Sequence, residues 1–234
     1  MKKNYSSKEV LANLERTGGR ERELSRDEII SLLGIRKDDQ RERLYQAAYR
    51  VKKAQVGTKV FFRGIIEMGN VCEKDCFYCG IRKSNSRVSR YCMDADEIVR
   101  TASWVYENNY GSLVLQSGEI STPSYISQVE EVLERIRTET DGNLRVTLSL
   151  GEQCRETLER WYRAGAHRYL LRIETTNEEL YRLLHPRDHD LAVRKKCLYM
   201  LRDIGYQVGT GVMIGLPGQT LADLADDILF YKER

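Results

Sequence analysis

No stretch of the 234-residue chain is long or apolar enough to cross a bilayer. Its first residues, Met1-Lys-Lys-Asn-Tyr-Ser-Ser-Lys-Glu9, lack the apolar core of a signal peptide. An excess of one charge is also missing: 38 Lys and Arg against 35 Asp and Glu leave a formal net charge of +3, with the two signs mixed along the sequence. Without a basic stripe to track phosphates, nucleic acid is not expected as a partner. These absences predict a cytoplasmic protein with no membrane association. In that reducing compartment the six cysteines are expected to be ligands, nucleophiles or core residues rather than disulfides. Three of them, Cys72, Cys76 and Cys79, fall within eight residues, and Cys92, Cys154 and Cys197 are scattered.

A composition of 41% hydrophobic and 31% charged residues suits a folded domain with a substantial core. Residues 1–56 read as a helical N-terminal extension without evident chemistry. Ser25-Arg-Asp-Glu28 is a capping-box signature, Ile29, Ile30, Leu32 and Leu33 follow it, and Gly34 is placed to end that helix. Leu44, Ala47, Ala48 and Val51 then recur at helical spacing.

From residue 57 to residue 234, short runs rich in branched residues alternate with longer amphipathic segments, the signature of repeated βα units and a parallel sheet. Five strands are predicted: Val60 to Met68, Ser112 to Gln116, Arg145 to Leu150, Arg168 to Thr175 and Gln207 to Ile214. Helix starts are marked by Asp94 with Glu97, by Thr122 before Pro123, and by Thr220 with Asp223. A closed eight-unit barrel needs roughly 200 residues or more, and about 175 are present from Val60 onward. The expectation is therefore an α/β fold, a partial TIM-type barrel of about five βα units under a helical cover, in a chain that ends before closure or is a fragment of a longer protein.

Cys72-Glu-Lys-Asp-Cys76-Phe-Tyr-Cys79 follows the first predicted strand, which places three thiols in a loop at that strand's C-terminal end, where folds of this architecture build active sites. Spacings of three and two residues let one loop wrap three thiolates around a compact centre, and Cys thiolates are the usual ligands of iron–sulfur clusters. Three ligands to a four-iron cluster leave one iron open to a ligand. A structural zinc site would want a fourth Cys or His close by, and Cys92 is the best placed to be one.

Alternation along the fourth strand puts Arg168, Leu170, Arg172 and Glu174 on one face and Tyr169, Leu171 and Ile173 on the other. The third strand repeats the division, with Arg145, Thr147 and Ser149 opposite Val146, Leu148 and Leu150. If the apolar faces meet helices, the polar faces line the interior, where charge calls either for a ligand or for pairing such as Arg172 with Glu174. After the second strand, Gln116-Ser-Gly-Glu119 combines a glycine that permits close backbone approach with a carboxylate able to accept from an ammonium group. The fifth strand, Gly209-Thr-Gly-Val-Met-Ile-Gly-Leu-Pro-Gly-Gln-Thr220, has glycines that either admit a flat ring or serve packing.

Tyr78, the aromatic residue just before the last cysteine, completes a pattern that resembles the radical S-adenosylmethionine (SAM) superfamily. Gly69 to Asn85, Leu115-Gln-Ser-Gly-Glu119, Thr147-Leu-Ser-Leu-Gly151, Arg168 to Thr175 and Gly215-Leu-Pro-Gly-Gln-Thr220 are together similar to the HydE family of FeFe-hydrogenase maturases, from about Arg43 onward. That resemblance implies a 4Fe-4S cluster on Cys72, Cys76 and Cys79, with SAM on the open iron. It places Gln116, Ser117, Gly118, Glu119, Glu174, Arg194 and Met213 around SAM and Tyr78 near its adenine, while Thr147, Arg168 and Arg172 face the substrate. It also implies reductive cleavage of SAM to a 5'-deoxyadenosyl radical, a small organometallic substrate, an electron donor such as ferredoxin or flavodoxin, and other hydrogenase maturases as partners. Two positions depart from the family pattern: Ile120 stands where Asp is usual, and Ile173 where His is usual. A radical SAM enzyme of the biotin synthase or methylornithine synthase type, or an inactive cluster-binding fragment, is the competing reading.

Overall fold

The computed structural model describes residues 6–17 and 23–232; the parts of the expected helical extension at 1–5 and 18–22 lie outside the described residues. The chain divides into two compact units, one of residues 1–60, 175–177 and 213–234, the other of 61–174 and 178–212.

The first unit is helical. Helices α1 (Ser7–Thr17), α2 (Arg26–Leu33) and α3 (Asp38–Val56) are followed, much later in the chain, by α9 (Leu221–Lys232), which packs on α2. The expected capping box forms: the Ser25 side chain accepts from the Glu28 backbone N–H, and the Glu28 carboxylate accepts from the Ser25 N–H at 2.9 Å. Val10, Leu11 and Leu32 form this unit's buried cluster. Thr220 and Asp223 cap α9 reciprocally, with the Thr220 N–H donating to Asp223 Oδ2 at 2.7 Å. Buried Asp227 accepts from both the backbone and the hydroxyl of Thr176 at 2.7 Å.

The second unit is a five-stranded parallel sheet in sequence order, β1 (Gly64–Glu67), β2 (Ser112–Gln116), β3 (Arg145–Ser149), β4 (Arg168–Leu170) and β5 (Gln207–Gly209). The crossovers are α4 (Ala95–Glu107), α5 (Pro123–Glu139), α6 (Arg155–Ala164), and the pair α7 (Glu178–Leu184) and α8 (Leu191–Ile204). These are the βα units expected from the alternating pattern, in an α/β fold.

Four strands are shorter than predicted, the third by Leu150 alone. Val60, Phe61 and Phe62 are exposed rather than paired, because β2 begins only at Ser112 and Gly64 already stands opposite Leu113. Beyond Leu170 the fourth strand leaves the ladder: the Ile173 N–H donates to Thr210 Oγ1 instead of a carbonyl, and Glu174 turns to φ +66°. The chain from β4 still follows that from β5, through a bridge of Glu174 with Val212. The fifth strand accordingly stops at Gly209 rather than at residue 214.

Register fixes two unlike faces. Ile66, Leu115, Leu148, Tyr169 and Val208 stand in one cross-strand row, and the first four are buried. Their face meets the apolar stripes of α4 (Ile98, Ala102, Val105), α5 (Val129, Val132, Ile136) and α6 (Leu158, Trp161), which is why the helices are amphipathic. Polar tips on this side are satisfied. Tyr169 donates to the Gly151 carbonyl at 2.8 Å, Tyr206 to the Leu158 carbonyl at 2.8 Å, and Trp161 to the Ile126 carbonyl at 3.0 Å.

The opposite face carries Ile65, Val114, Thr147, Arg168 and Gln207 in one row and Glu67, Gln116, Ser149, Leu170 and Gly209 in the next. It is the polar face, and several of its residues are accessible. Among the described residues no helix is long and apolar enough to cross a membrane.

The two faces differ in energetic weight. Leu148→Ala is expected to cost about 3 kcal/mol by leaving a cavity in the packed layer. Ile65→Ala, at a side chain 58% exposed on the other face, should change stability by less than about 1 kcal/mol. Urea unfolding of the two variants checks the assignment, and comparable losses would reverse it.

Candidate functional site

The residues between β1 and α4 make a closed excursion. Gly69 and Cys92 form an antiparallel bridge at its base, and the Met93 N–H donates to the Met68 carbonyl at 2.8 Å. Gly69 has a packing role here, since an added Cβ would lie 2.9 Å from the Tyr91 carbonyl oxygen. Cys72, Cys76 and Cys79 all lie inside this excursion and are partly accessible, whereas Cys92 is exposed at its base, Cys154 is exposed elsewhere and Cys197 is buried.

The loop is tied to the ends of its neighbours. The Glu73 N–H donates to the Glu119 carbonyl at 2.8 Å, and the Phe77 N–H to the Leu184 carbonyl at 2.9 Å. Cys72 Sγ accepts from the backbone N–H groups of Lys74 and Glu119, each at 3.4 Å. Gly118 is what lets β2 come this close: a Cβ there would lie 2.1 Å from the Val71 carbonyl oxygen and 2.6 Å from Cys72 Cβ. Gly151, at φ +76°, plays the same part for Glu119, whose Oε2 a Cβ would meet at 2.2 Å.

A chain of charges runs across these strand ends. Lys74 Nζ lies 3.3 Å from Glu119 Oε1 and 3.5 Å from Glu152 Oε2. Glu152 in turn pairs with the Arg194 guanidinium, which also donates to the Arg172 carbonyl at 2.9 Å. Glu119 Oε2 accepts from the Glu152 N–H at 2.8 Å. Burial pushes the Glu119 carboxyl above the usual range, and the Glu152 N–H and Lys74 only partly offset it. Burial works against the charge on Arg194, but Glu152 and its other partners outweigh that and raise its pKa. Burial also pushes the Cys76 thiol up to about 11, with Cys72 and Cys79 adding to the rise and Arg194 opposing it, so the three sulfurs share one electrostatic neighbourhood.

Tyr78 donates to Glu174 Oε1 at 3.2 Å and stands edge-on to His185 at 5.5 Å. The His185 ring stacks on Tyr181 at 3.9 Å, and burial lowers its pKa to about 4. Arg172 Nε lies 3.2 and 3.1 Å from the two Glu174 oxygens, so the pairing foreseen as the alternative to a ligand is present.

Of the other residues singled out by sequence, Gln116 Nε2 donates to Glu67 Oε1 at 3.0 Å, and the Ser117 hydroxyl is shared with Tyr125 at 2.6 Å. Thr147 Oγ1 is buried on the polar sheet face and has no hydrogen-bond partner among the described residues. Arg168 lies at the start of β4, the end away from the cysteine loop, and donates to Gln207 Oε1 at 2.8 Å. Met213 belongs to the first unit, where its carbonyl accepts from Gln219 Nε2 at 2.9 Å. Ile173 is fully buried on the helix-facing side, and the Ile120 carbonyl accepts from Gln153 Nε2 at 3.0 Å. Sequence reading passed over Lys74, Glu152 and His185. Lys74 lies inside the cysteine motif and Glu152 just beyond a strand end, positions that could have drawn notice; His185 carries no comparable signal.

Comparison with known proteins bears on what such a loop holds. The sequence profile of the Radical SAM superfamily matches residues 66–231. The chain belongs to the radical SAM superfamily. It is 42% identical over 230 residues to the [FeFe] hydrogenase maturase subunit HydE of Thermotoga maritima, a match covering 97% of this chain and 63% of that protein. It is 25% identical over 195 residues to the 3-methylornithine synthase of Methanosarcina acetivorans, covering 83% of this chain and 55% of the relative. The crystal structure of HydG, a maturase of the [FeFe]-hydrogenase, shares the fold with a TM-score of 0.86 at 22% identity, over 99% of this chain and 52% of that one. The chain thus spans less than two thirds of the length of these proteins.

Radical SAM enzymes use a 4Fe-4S cluster and SAM, and the loop suits such a cluster. Its three thiols lie on one short excursion, and backbone N–H groups already point at Cys72 Sγ, as they do at cluster-bound sulfurs. Among the described residues no three His, Cys, Asp or Glu side chains close on a single ion. A cluster asks for something different, since its three cysteines meet three separate irons.

Gly118→Ala should move Val71 and Cys72, destabilise the protein by about 2 kcal/mol and reduce iron uptake. Gly80→Ala, where an added Cβ meets nothing within 4 Å, should do neither. Urea unfolding and iron analysis of the two variants make the comparison; normal iron content in Gly118→Ala would remove the close approach from the account of the site.

Proposed function

We propose that this chain is a radical SAM enzyme of FeFe-hydrogenase maturation, in which residues 57–234 carry the cluster and SAM chemistry and residues 1–56 form a helical extension. The supporting observation is that one loop bearing Cys72, Cys76 and Cys79 is seated against Gly118 and Glu119 by contacts that allow no larger residue at position 118. When bound, the reduced cluster and SAM supply methionine and a 5'-deoxyadenosyl radical, and the protein's part is binding, orientation and exclusion of water.

In this reading Cys72, Cys76 and Cys79 would hold three irons of the cluster and leave the fourth open to SAM. Glu119, whose buried carboxylate is only partly compensated by the Glu152 N–H and Lys74, would accept from the N–H groups of the SAM amino group, with Gln116 and Ser117 on the same strand end. Glu174 and Arg194 orient the rest of the molecule, and Tyr78 lies by the adenine. Thr147 and Arg168 on the polar sheet face, with Arg172 just beyond the end of β4, would present a hydroxyl and two cations to an anionic or organometallic substrate. The maturase reading is preferred to a methylornithine synthase or biotin synthase type because 42% identity to HydE stands against 25% to the synthase. The partners implied are a ferredoxin or flavodoxin and the other maturases, and the compartment is the cytoplasm.

Anaerobic reconstitution should give a 4Fe-4S cluster whose electron paramagnetic resonance signal, after reduction, changes when SAM is added. Cys76→Ala should abolish iron binding, while Cys154→Ala and Cys197→Ala leave it intact. A reduced cluster indifferent to SAM, or a requirement for either scattered cysteine, would refute the assignment.

A further inference from the structure

Between Gly80 and Met93 the chain carries four basic residues, Arg82, Lys83, Arg87 and Arg90, and no carboxylate. Two of the four are structural. The Arg90 guanidinium donates to four carbonyls, those of Asn70, Ile81, Arg82 and Asn85, and so folds the loop around itself. Arg82 Nη1 donates to the Cys79 carbonyl at 3.0 Å. Further bonds hold the same loop: Asn85 Nδ2 to the Gly80 carbonyl at 2.7 Å, the Ser84 N–H to Asp75 Oδ1 at 3.0 Å, and the Lys83 N–H to the Lys74 carbonyl at 2.8 Å. The other two, Lys83 and Arg87, are exposed and have no ion-pair partner among the described residues. The carboxylates beside them are hydrogen-bonded elsewhere, Glu73 with the Ser121 N–H and hydroxyl and Asp75 with Ser84, and Glu73 feels the charge of Lys83 without forming an ion pair with it. An ordered loop therefore presents unpaired positive charge directly after the cluster cysteines, with Phe77, 58% exposed, between Cys76 and Cys79.

We propose that the Gly80–Arg90 loop is the docking surface for an acidic one-electron carrier protein, with Lys83 and Arg87 as its charge contacts. The proposal rests on the cluster reading above. A cluster that reduces SAM must be refilled from outside, one electron at a time: the carrier is oxidised by one electron as the cluster is reduced by one, and no proton moves. Transfer falls steeply with distance, so the carrier must seat where the cysteine loop meets the surface. At that place the free charge is positive. Fixed cations steer an acidic partner and raise its rate of encounter, and small interfaces with a charged rim and an apolar centre suit weak, transient electron-transfer complexes. A charged loop that only keeps the protein soluble has no need to be ordered by the eight hydrogen bonds just named.

The test uses the reconstituted full chain mixed in stopped flow with a reduced acidic flavodoxin, following the loss of cluster absorbance. The second-order rate constant should fall as ionic strength rises, and in the Lys83→Glu, Arg87→Glu double variant it should drop about tenfold at low salt and lose that dependence. Iron content and reduction by dithionite should be unchanged, and calorimetry should show weaker flavodoxin binding in parallel. Lys196→Glu, a charge reversal on α8, should leave rate and affinity within about twofold. Equal rates and affinities for the double variant and the parent, or an equal fall in Lys196→Glu, overturn the docking surface while the cluster reading stands. A chain that takes up no cluster defeats that reading instead, and calorimetry then still judges the surface.

Discussion

The site depends on how the cysteine loop is held before anything binds to it, and the chain of charges from Lys74 through Glu119 and Glu152 to Arg194 ties that loop to two strand ends and a helix. Lys74 lies between two of the cysteines, Glu119 and Glu152 just beyond β2 and β3, and Arg194 on α8. The two carboxylates are only 10% and 14% exposed in their side chains, so each needs a partner, and the partners come from different elements. The loop, two strand ends and a helix are thereby locked into one arrangement. Breaking one pair leaves a buried carboxylate with fewer partners, which makes the network a device for position more than for net stability.

That arrangement is possible because the sheet has two unlike faces. The face that meets α4, α5 and α6 is sealed by Leu113, Leu115, Leu148 and Tyr169, all fully buried, and supplies the stability. The other face has little packing to lose and is free to carry Thr147, Arg168, Arg172 and Glu67. A strand of period two delivers both functions from one stretch of chain. The same division explains the glycines at the strand ends: with packing settled on one side, Gly118 and Gly151 can give up side chains to let Cys72 and Glu119 in.

Most of this was legible in the sequence. The capping box at Ser25, the start of α4 at Asp94, the five strands in order and the face assignment of β3 and β4 all follow from local chemistry and period. What was not legible depends on pairing between distant segments. Val60 to Phe62 stay outside the sheet because β2, which begins at Ser112, has no residue for them to pair with, and nothing near residue 60 reveals that. The fourth strand looks continuous to Thr175, yet Thr210 takes over a ladder hydrogen bond and Glu174 adopts a left-handed backbone, both set by contact with the fifth. Within the site, the triplet, Gly118 and Glu119 are readable as motif. Lys74 and Glu152 gain meaning only once three strand ends stand side by side.

The pairing of Arg172 with Glu174 admits a reading beyond a choice between ligand site and salt bridge. Arg172 is half exposed, and ion pairs with an exposed partner are held by about 1 kcal/mol or less. Glu174 is buried and keeps a second contact, from Tyr78. A ligand that reached Arg172 would therefore displace a weak bond while leaving the carboxylate with a donor. The same holds at Glu119, which keeps the Glu152 N–H if Lys74 moves. Each charged group at these strand ends has one firm partner and one loose one, so the polar face is stable without a ligand and still able to accept one.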